Sequence, residues 1–556
     1  MRYLFAFLLS LFTFFSSGQA FFSSGQASLE PQYYKFRVYL KDKGNTVHSP
    51  DNPDTFLSGR AIERKKKEKV EIDESDLPVS RDYFTLVEKA GGKVVTYSKW
   101  FATLVVEVSD SLRIENIESL SFVDSVKYIW RGNRPLHGER ARSRLVPTGC
   151  DEKVDADTEY GFTDAQFRMH NATTMSNAGF RGRGILIGMI DAGFTNFDVI
   201  PRFESVRLGG YMDFVPDGSI FASSDHGTKV LSTMAADLPG LMIGSAPEAT
   251  YWLLRSEDTS SEFPVEEDYW VRAVEFADSL GVDVINTSLG YNLFDDKSLN
   301  YTHAGLNGSI SLMSMAADKA YEKGILIVVS AGNEGNKSWQ KITPPADAKN
   351  VLAVGAVGTD SLIASFSSHG LTADGRIKPD LVSVGKETVT IGRDGSVGQT
   401  NGTSLSSPFL TGLIASLWSV NPALHRSELL DIVKRSSDRY VRPDSVYGYG
   451  IPDFHKAMKE VLSKLEVYPQ KVTDNGWVIG PQHSGGYTVS LSDPVFSPVS
   501  YSFRVLDQSG CLISVYRFKE DKTVFVPLPD KIRKSNRFLY FVTEEPFKQR
   551  IYKVEI

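Results

Sequence analysis

Four short stretches of this sequence carry residue types that could together make and break an acyl bond. Ser404 lies in Asn401-Gly402-Thr403-Ser404-Leu405-Ser406-Ser407-Pro408, ahead of an apolar helical run at 409–420. A serine at a helix N-terminus stands among unpaired backbone N–H groups that favour nearby negative charge. Pro408 is expected in about the first turn, where a missing N–H does least harm. His226, in Asp225-His226-Gly227-Thr228-Lys229-Val230, opens an amphipathic helix, and Gly227 leaves space beside the imidazole. Asp191 ends the apolar strand Ile185-Leu186-Ile187-Gly188-Met189-Ile190. A carboxylate at such a strand mouth is costly to desolvate unless it accepts hydrogen bonds. Asp225 is adjacent to His226 in sequence and badly placed to orient its ring, so Asp191 is the better partner. Asn333, in Ser330-Ala331-Gly332-Asn333-Glu334-Gly335, could donate its amide to an oxyanion together with the backbone N–H of Ser404. Taken singly, each also suits a structural part: strand-end cap, helix-start histidine, N-cap serine or turn asparagine.

The elements that would position them follow from the hydrophobic pattern. Runs at 184–190, 250–254, 282–285, 324–329 and 351–357 are continuous β-branched and leucine-rich stretches separated by helical segments. Strands buried on both faces look like that, which predicts an α/β unit, a parallel sheet sandwiched by helices, over about 160–465. Right-handed crossovers place functional groups at the carboxyl ends of such strands. Before it, strands at 34–40 and 101–108 and helices at 59–70 and 82–90 predict a small α+β unit. The basic run Arg64–Lys67 reads as a solvated helix face, with a processing site as the alternative. Beyond 466, short alternating segments broken by Gly, Pro and Asp predict a small β-sandwich.

A chain of 556 residues and net charge −7 accommodates several such units and argues against a nucleic-acid partner. Arg2 and the apolar run 3–15 predict a signal peptide over 1–27, since the run is short of the ~20 residues that span a bilayer. An uncleaved anchor is the alternative. Phe14–Ala20 is repeated as Phe21–Ala27, which offers cleavage after Ala20 or Ala27. Cys150 and Cys511 are the only cysteines, and both a pair and two free thiols fit.

The order Asp, His, Asn, Ser and the stretches 187–194, 224–232, 330–335 and 402–408 resemble the subtilisin-like serine peptidases, over about 160–465. The resemblance implies a secreted serine endopeptidase with Asp191, His226 and Ser404 as its triad, Asn333 in the oxyanion hole, and Ser288-Leu289-Gly290 as the segment that pairs with a peptide substrate. It implies no cofactor. Bound calcium is common in the family, but no acidic loop here has convincing ligand spacing. The segment 28–150, with Ser58-Gly59-Arg60-Ala61-Ile62-Glu63-Arg64, Asp76-Leu77-Pro78-Val79-Ser80 and Ser98-Lys99-Trp100, resembles the pro-region of Bacteroidetes subtilases. That implies an intramolecular inhibitor, cut away near 134–151. The segment 466–556 resembles the β-sandwich sorting domains of type IX secretion. It departs from them where Gln470 and Lys471 follow Pro469, so an accessory binding domain also fits. A catalytically silent subtilase fold, serving as adhesin or scaffold, would be favoured by loss of a triad member, and none is lost. A lipase or esterase would place its nucleophile in a Gly-x-Ser-x-Gly elbow, which Ser404 lacks.

Overall fold

The computed structural model describes residues 32–133, 158–216, 218–469, 471–474, 476–482, 485–491, 501–518, 523–544 and 549–556. The expected signal peptide, the expected maturation region and Cys150 lie outside them. Cys511 has no disulfide partner among the described residues.

The N-terminal unit is an antiparallel sheet of β1 (Gln32–Leu40), β2 (Lys93–Ser98), β3 (Thr103–Val108) and β4 (Val123–Asn133) in the order β2-β3-β1-β4. Helices α1 (Gly59–Lys67) and α2 (Arg81–Lys89) accompany it. Ser58 caps α1 by accepting from the Ala61 N–H, and Ser80 caps α2 in the same way. Leu104, Val106, Val108, Val87 and Ile117 fill its core.

The central unit is a seven-stranded parallel sheet. Its strands are β5 (Leu186–Asp191), β6 (Arg207–Asp213), β7 (Thr250–Arg255), β8 (Val284–Thr287), β9 (Leu326–Ser330), β10 (Leu352–Val357) and β11 (Leu381–Val384), in the order β11-β10-β9-β8-β5-β7-β6. The expected strands at 184–190, 250–254, 282–285, 324–329 and 351–357 are its five interior members. The two edge strands had no apolar run to reveal them: β6 carries two glycines and faces partly to solvent, and β11 is four residues long.

Successive residues along each strand enter two separate cores, as a sheet's alternation requires. Val284, Leu326, Val328 and Val354 join α3 (His226–Ala235) and α6 (Thr403–Trp418) on one side. Ile190, Ile285, Ile327 and Val329 join α4 (Val265–Leu280) and α5 (Leu312–Glu322) on the other.

The C-terminal unit stacks a five-stranded sheet on a four-stranded one around Trp477, Phe503, Phe541 and Val554. Leu506, Tyr540 and Val542 pack into the core of the central unit, and Gln549 donates to the Gly179 carbonyl.

One expectation fails in an informative way. The basic run at Arg64–Lys67 is not a solvated face. Arg64 and Lys65 are buried against Asp278 of α4, and Lys67 lies over the Trp418 ring, 4.2 Å from its centroid. Lys99 reaches the same carboxylate at 3.5 Å. Arg37 forks onto Asp268, with both N···O distances 2.7 Å. Glu275 accepts from Ser98 Oγ and from the Lys99 and Trp100 N–H groups. The N-terminal unit is thus seated on α4 through buried charge.

Candidate active site

Three neighbouring strands, β9, β8 and β5, deliver their C-terminal exits to one edge of the sheet. Asp191 is the last residue of β5, Ser288-Leu289-Gly290 follow β8, and Asn333 follows β9. Ligand sites in open parallel sheets form at this edge.

Asp191 is fully buried. Its Oδ1 accepts from the Ala192 N–H at 2.8 Å and bonds His226 Nδ1 at 2.7 Å, while Oδ2 has no partner among the described residues. His226 begins α3, and its side chain is 37 % exposed toward the cleft. The Gly227 N–H donates to the Gly193 carbonyl at 3.0 Å. A Cβ on Gly227 would meet that oxygen at 2.4 Å, so the close approach of the β5 exit to α3 needs glycine here. Asp225 pairs with Lys229 instead of the ring. Burial pulls the imidazole down, but the Asp191 charge and hydrogen bond outweigh it and push His226 up to about 9.

Ser404 lies deeper than a capping serine would. The helix begins at Thr403, earlier than the apolar run suggests, so Ser404 sits inside its first turn and is 9 % exposed. Pro408 consequently falls four residues after Ser404 and not in the first turn. It has no N–H to give the Ser404 carbonyl, which is the bond an ordinary helix would make there. Ser288 Oγ supplies the missing donor at 3.0 Å. Asn286 supports this contact: its amide donates to Ser288 Oγ, and its carbonyl accepts from Ser407 and Thr411. A buried polar residue in an apolar strand should have such partners. Asn286 could have been singled out on that ground alone.

Asn333 Oδ1 accepts from the Thr403 N–H at 2.9 Å and the Thr403 hydroxyl at 3.0 Å, which leaves Nδ2 free to donate. Gly402 has φ 153°, and the position its Cβ would take lies 2.8 Å from Ser404 Oγ and 3.9 Å from Asn333 Nδ2. The hydroxyl and the amide donor therefore share one small space that glycine keeps open. Among the described residues neither Ser404 Oγ nor His226 Nε2 makes a hydrogen bond. Leu289 is buried and Gly290 exposed; a Cβ on Gly290 would meet Thr343 Oγ1 at 2.4 Å. No group of three His, Cys, Asp or Glu side chains placed to hold a metal occurs among the described residues.

Residues 182–450 match the Subtilase family, and residues 35–143 match the Peptidase S8 propeptide domain of the Bacteroidota. Subtilisin DY of Bacillus licheniformis is 31% identical over 254 residues, 45% of this chain and 82% of that protein. Subtilisin E of Bacillus subtilis (strain 168) is 28% identical over 284 residues, 50% of this chain and 67% of that one. The crystal structure of an epidermin leader peptide processing serine protease from Staphylococcus aureus superposes with a TM-score of 0.53 at 16% identity, covering 78% of this chain and 99% of that chain, and so shares the fold. With a parallel sheet, a pro-region and these relatives in agreement, the chain belongs to the subtilase family of serine endopeptidases.

Proposed function

We propose that this protein is a secreted endopeptidase, made as a zymogen, which hydrolyses peptide bonds through an acyl-enzyme on Ser404. The observation that carries the reading is the 2.7 Å bond between buried Asp191 and His226, at the same sheet edge as Ser404 and the free amide of Asn333. Ser404 Oγ attacks the scissile carbonyl while His226 Nε2 takes its proton. Asp191 holds the ring tautomer and stabilises the imidazolium. Asn333 Nδ2 and the Ser404 N–H bind the oxyanion, the C–N bond breaks, and His226 returns the proton to the leaving amine. Water then attacks the acyl group by the same route. The Ser404–His226 contact closes with substrate bound, as catalytic hydrogen bonds often do. The peptide lies along Ser288-Leu289-Gly290 as an added strand, so its backbone is satisfied whatever its side chains. Side chains and backbone N–H groups supply all of this chemistry, and no cofactor enters it. The pro-region holds the peptidase inactive until export and self-cleavage, and residues 1–27 direct that export.

A fluorophosphonate probe tests the reading. It should label the matured protein covalently and fail to label Ser404→Ala, which should accumulate as the precursor. Labelling that persists in Ser404→Ala would sink it. Asn333→Ala should lower kcat about 10²–10³-fold, since one oxyanion donor is worth about 3 kcal/mol, with KM little changed.

A further inference from the structure

Three neighbouring strands of the central sheet end side by side on charged residues. In register, Asp191 of β5 faces Arg255 of β7, and Arg255 faces Asp213 of β6, so the three form one cross-strand row. Arg255 closes the largely apolar strand Thr250-Tyr251-Trp252-Leu253-Leu254 and is 4 % exposed. A guanidinium buried this far is costly unless its charge is paired and its donors are used. Asp213 supplies the charge: both of its carboxylate oxygens lie 3.0 Å from one terminal nitrogen of Arg255. On the other side, Arg255 Nε donates to the Ala192 carbonyl at 3.3 Å. Backbone bonds fix the row at its base. The Phe214 N–H donates to the Arg255 carbonyl at 2.9 Å, and the Ser256 N–H donates to the Asp191 carbonyl at 3.2 Å. Gly218 comes so close to the guanidinium that no Cβ would fit there.

The turn that Arg255 holds joins the two halves of the candidate dyad. The Ala192 N–H donates to Asp191 Oδ1, the same oxygen that bonds His226 Nδ1. One residue on, the Gly193 carbonyl accepts from the Gly227 N–H at the start of α3. The backbone of Ala192 and Gly193 therefore grips the carboxylate at one end and the helix that carries His226 at the other. The Ala192 carbonyl lies between those two contacts, and that is the atom Arg255 holds.

We propose that Arg255 is a positioning residue for peptide hydrolysis: by holding the Ala192 carbonyl it keeps Asp191 and the start of α3 at the separation His226 needs to serve Ser404. This rests on the peptidase reading above. Arg255 touches no reacting atom and acts only through the turn. Asp213 bonds the guanidinium from the outer strand and neutralises it; its side chain bonds Arg255 and the Val215 N–H, not the turn. The two partners of Arg255 thus have separable parts. The bond to Ala192 governs the chemistry, and the ion pair with Asp213 ties edge strand β6 to its neighbour.

The test compares matured wild type with Arg255→Lys and Asp213→Asn. In the lysine variant Cε takes the place of Nε, so the donor to Ala192 is lost while a positive charge stays beside Asp213. Its kcat should fall about 10- to 100-fold with KM within about twofold, because small misplacements of reacting groups are that costly. The rate of fluorophosphonate labelling should fall by the same factor. The pH midpoint of kcat/KM should drop by about half a unit, since Asp191 then supports the imidazolium less. The charges that act on His226 are Asp191, Glu257 and Lys229, and the variant alters none of them. Asp213→Asn should unfold at a lower temperature yet keep kcat within about threefold of wild type. If Arg255→Lys lowers only the thermal midpoint and leaves kcat, labelling and the pH midpoint at wild-type values, the proposal is overturned. Should the lysine variant fail to fold, Asp213→Asn decides: kcat within about threefold supports the proposal, and a loss of about tenfold or more overturns it. Wild type that neither labels nor hydrolyses any peptide would instead overturn the peptidase reading.

Discussion

Helix α4 buries one face in the peptidase sheet and the other beneath the pro-region, and the two faces are made of different residues. Trp270, Val271, Ala273, Val274 and Ala277 face the sheet, where the Trp270 indole donates to Thr287 Oγ1 at 3.0 Å. Glu267, Asp268, Glu275 and Asp278 meet Arg37, Lys99, Arg64 and Lys65 of the pro-region. Both faces are dry in this structure, and on the zymogen reading proposed above only the inner one stays dry once the pro-region leaves. Apolar side chains suit a permanent contact. Charged side chains suit one that must later be exposed to water, because each partner is soluble on its own. The difference marks which contacts are built to last and which to come apart.

That contrast can be broken or sharpened by substitution. The largest effect is expected from Trp270→Ala, which should destabilise both the Ser404→Ala precursor and the matured enzyme by about 3–5 kcal/mol in urea unfolding. Asp278→Ala should cost the precursor about 3 kcal/mol, because it strands Arg64, Lys65 and Lys99 in a buried site. In the matured enzyme the same change should cost less than about 0.5 kcal/mol, as expected of an exposed surface position. Equal losses in both forms would erase the distinction between the faces. Burial raises the Asp278 carboxyl, but Lys65, Lys99 and Arg64 outweigh it and hold it below the ordinary carboxylate range. Its contribution is therefore present above the usual aspartate pKa and is lost as pH falls through the folded value.

The smallest effect concerns the active site, which neither face touches. In the proposed mechanism His226 must be neutral to accept a proton, and it is pushed up to about 9, so kcat/KM should rise with pH and level off only above that value. The stability that His226 draws from Asp191 runs the other way: full below the unfolded histidine pKa, lost as pH rises through about 9. The wild-type and Asp278→Ala pH profiles should coincide. Glu257→Gln removes a charge that raises His226, so its profile should shift to lower pH.

The candidate site was legible as positions, because strand exits and helix starts show as short motifs in sequence: Asp191, His226, Asn333 and Ser404 stand at such places, and the structure brings them to one edge of the sheet. The interior strands followed from their apolar runs. The pairing of Arg64 with Asp278 was not legible, since the two are 214 residues apart and a lysine-rich helix gives no sign of what covers it. The role of Ser288 toward Ser404 was hidden for a similar reason. It depends on where the helix begins relative to Pro408, and the apolar run placed that start too late.

Every residue of α6, from Thr403 to Trp418, is buried. The proposed nucleophile, Ser404, is thus mounted on a helix with no exposed residue and not on a surface loop that could melt by itself. Heat inactivation of the matured enzyme should then coincide with loss of the whole fold, and activity should vanish along the same curve as the circular dichroism signal, with no warm, folded but silent stage between them.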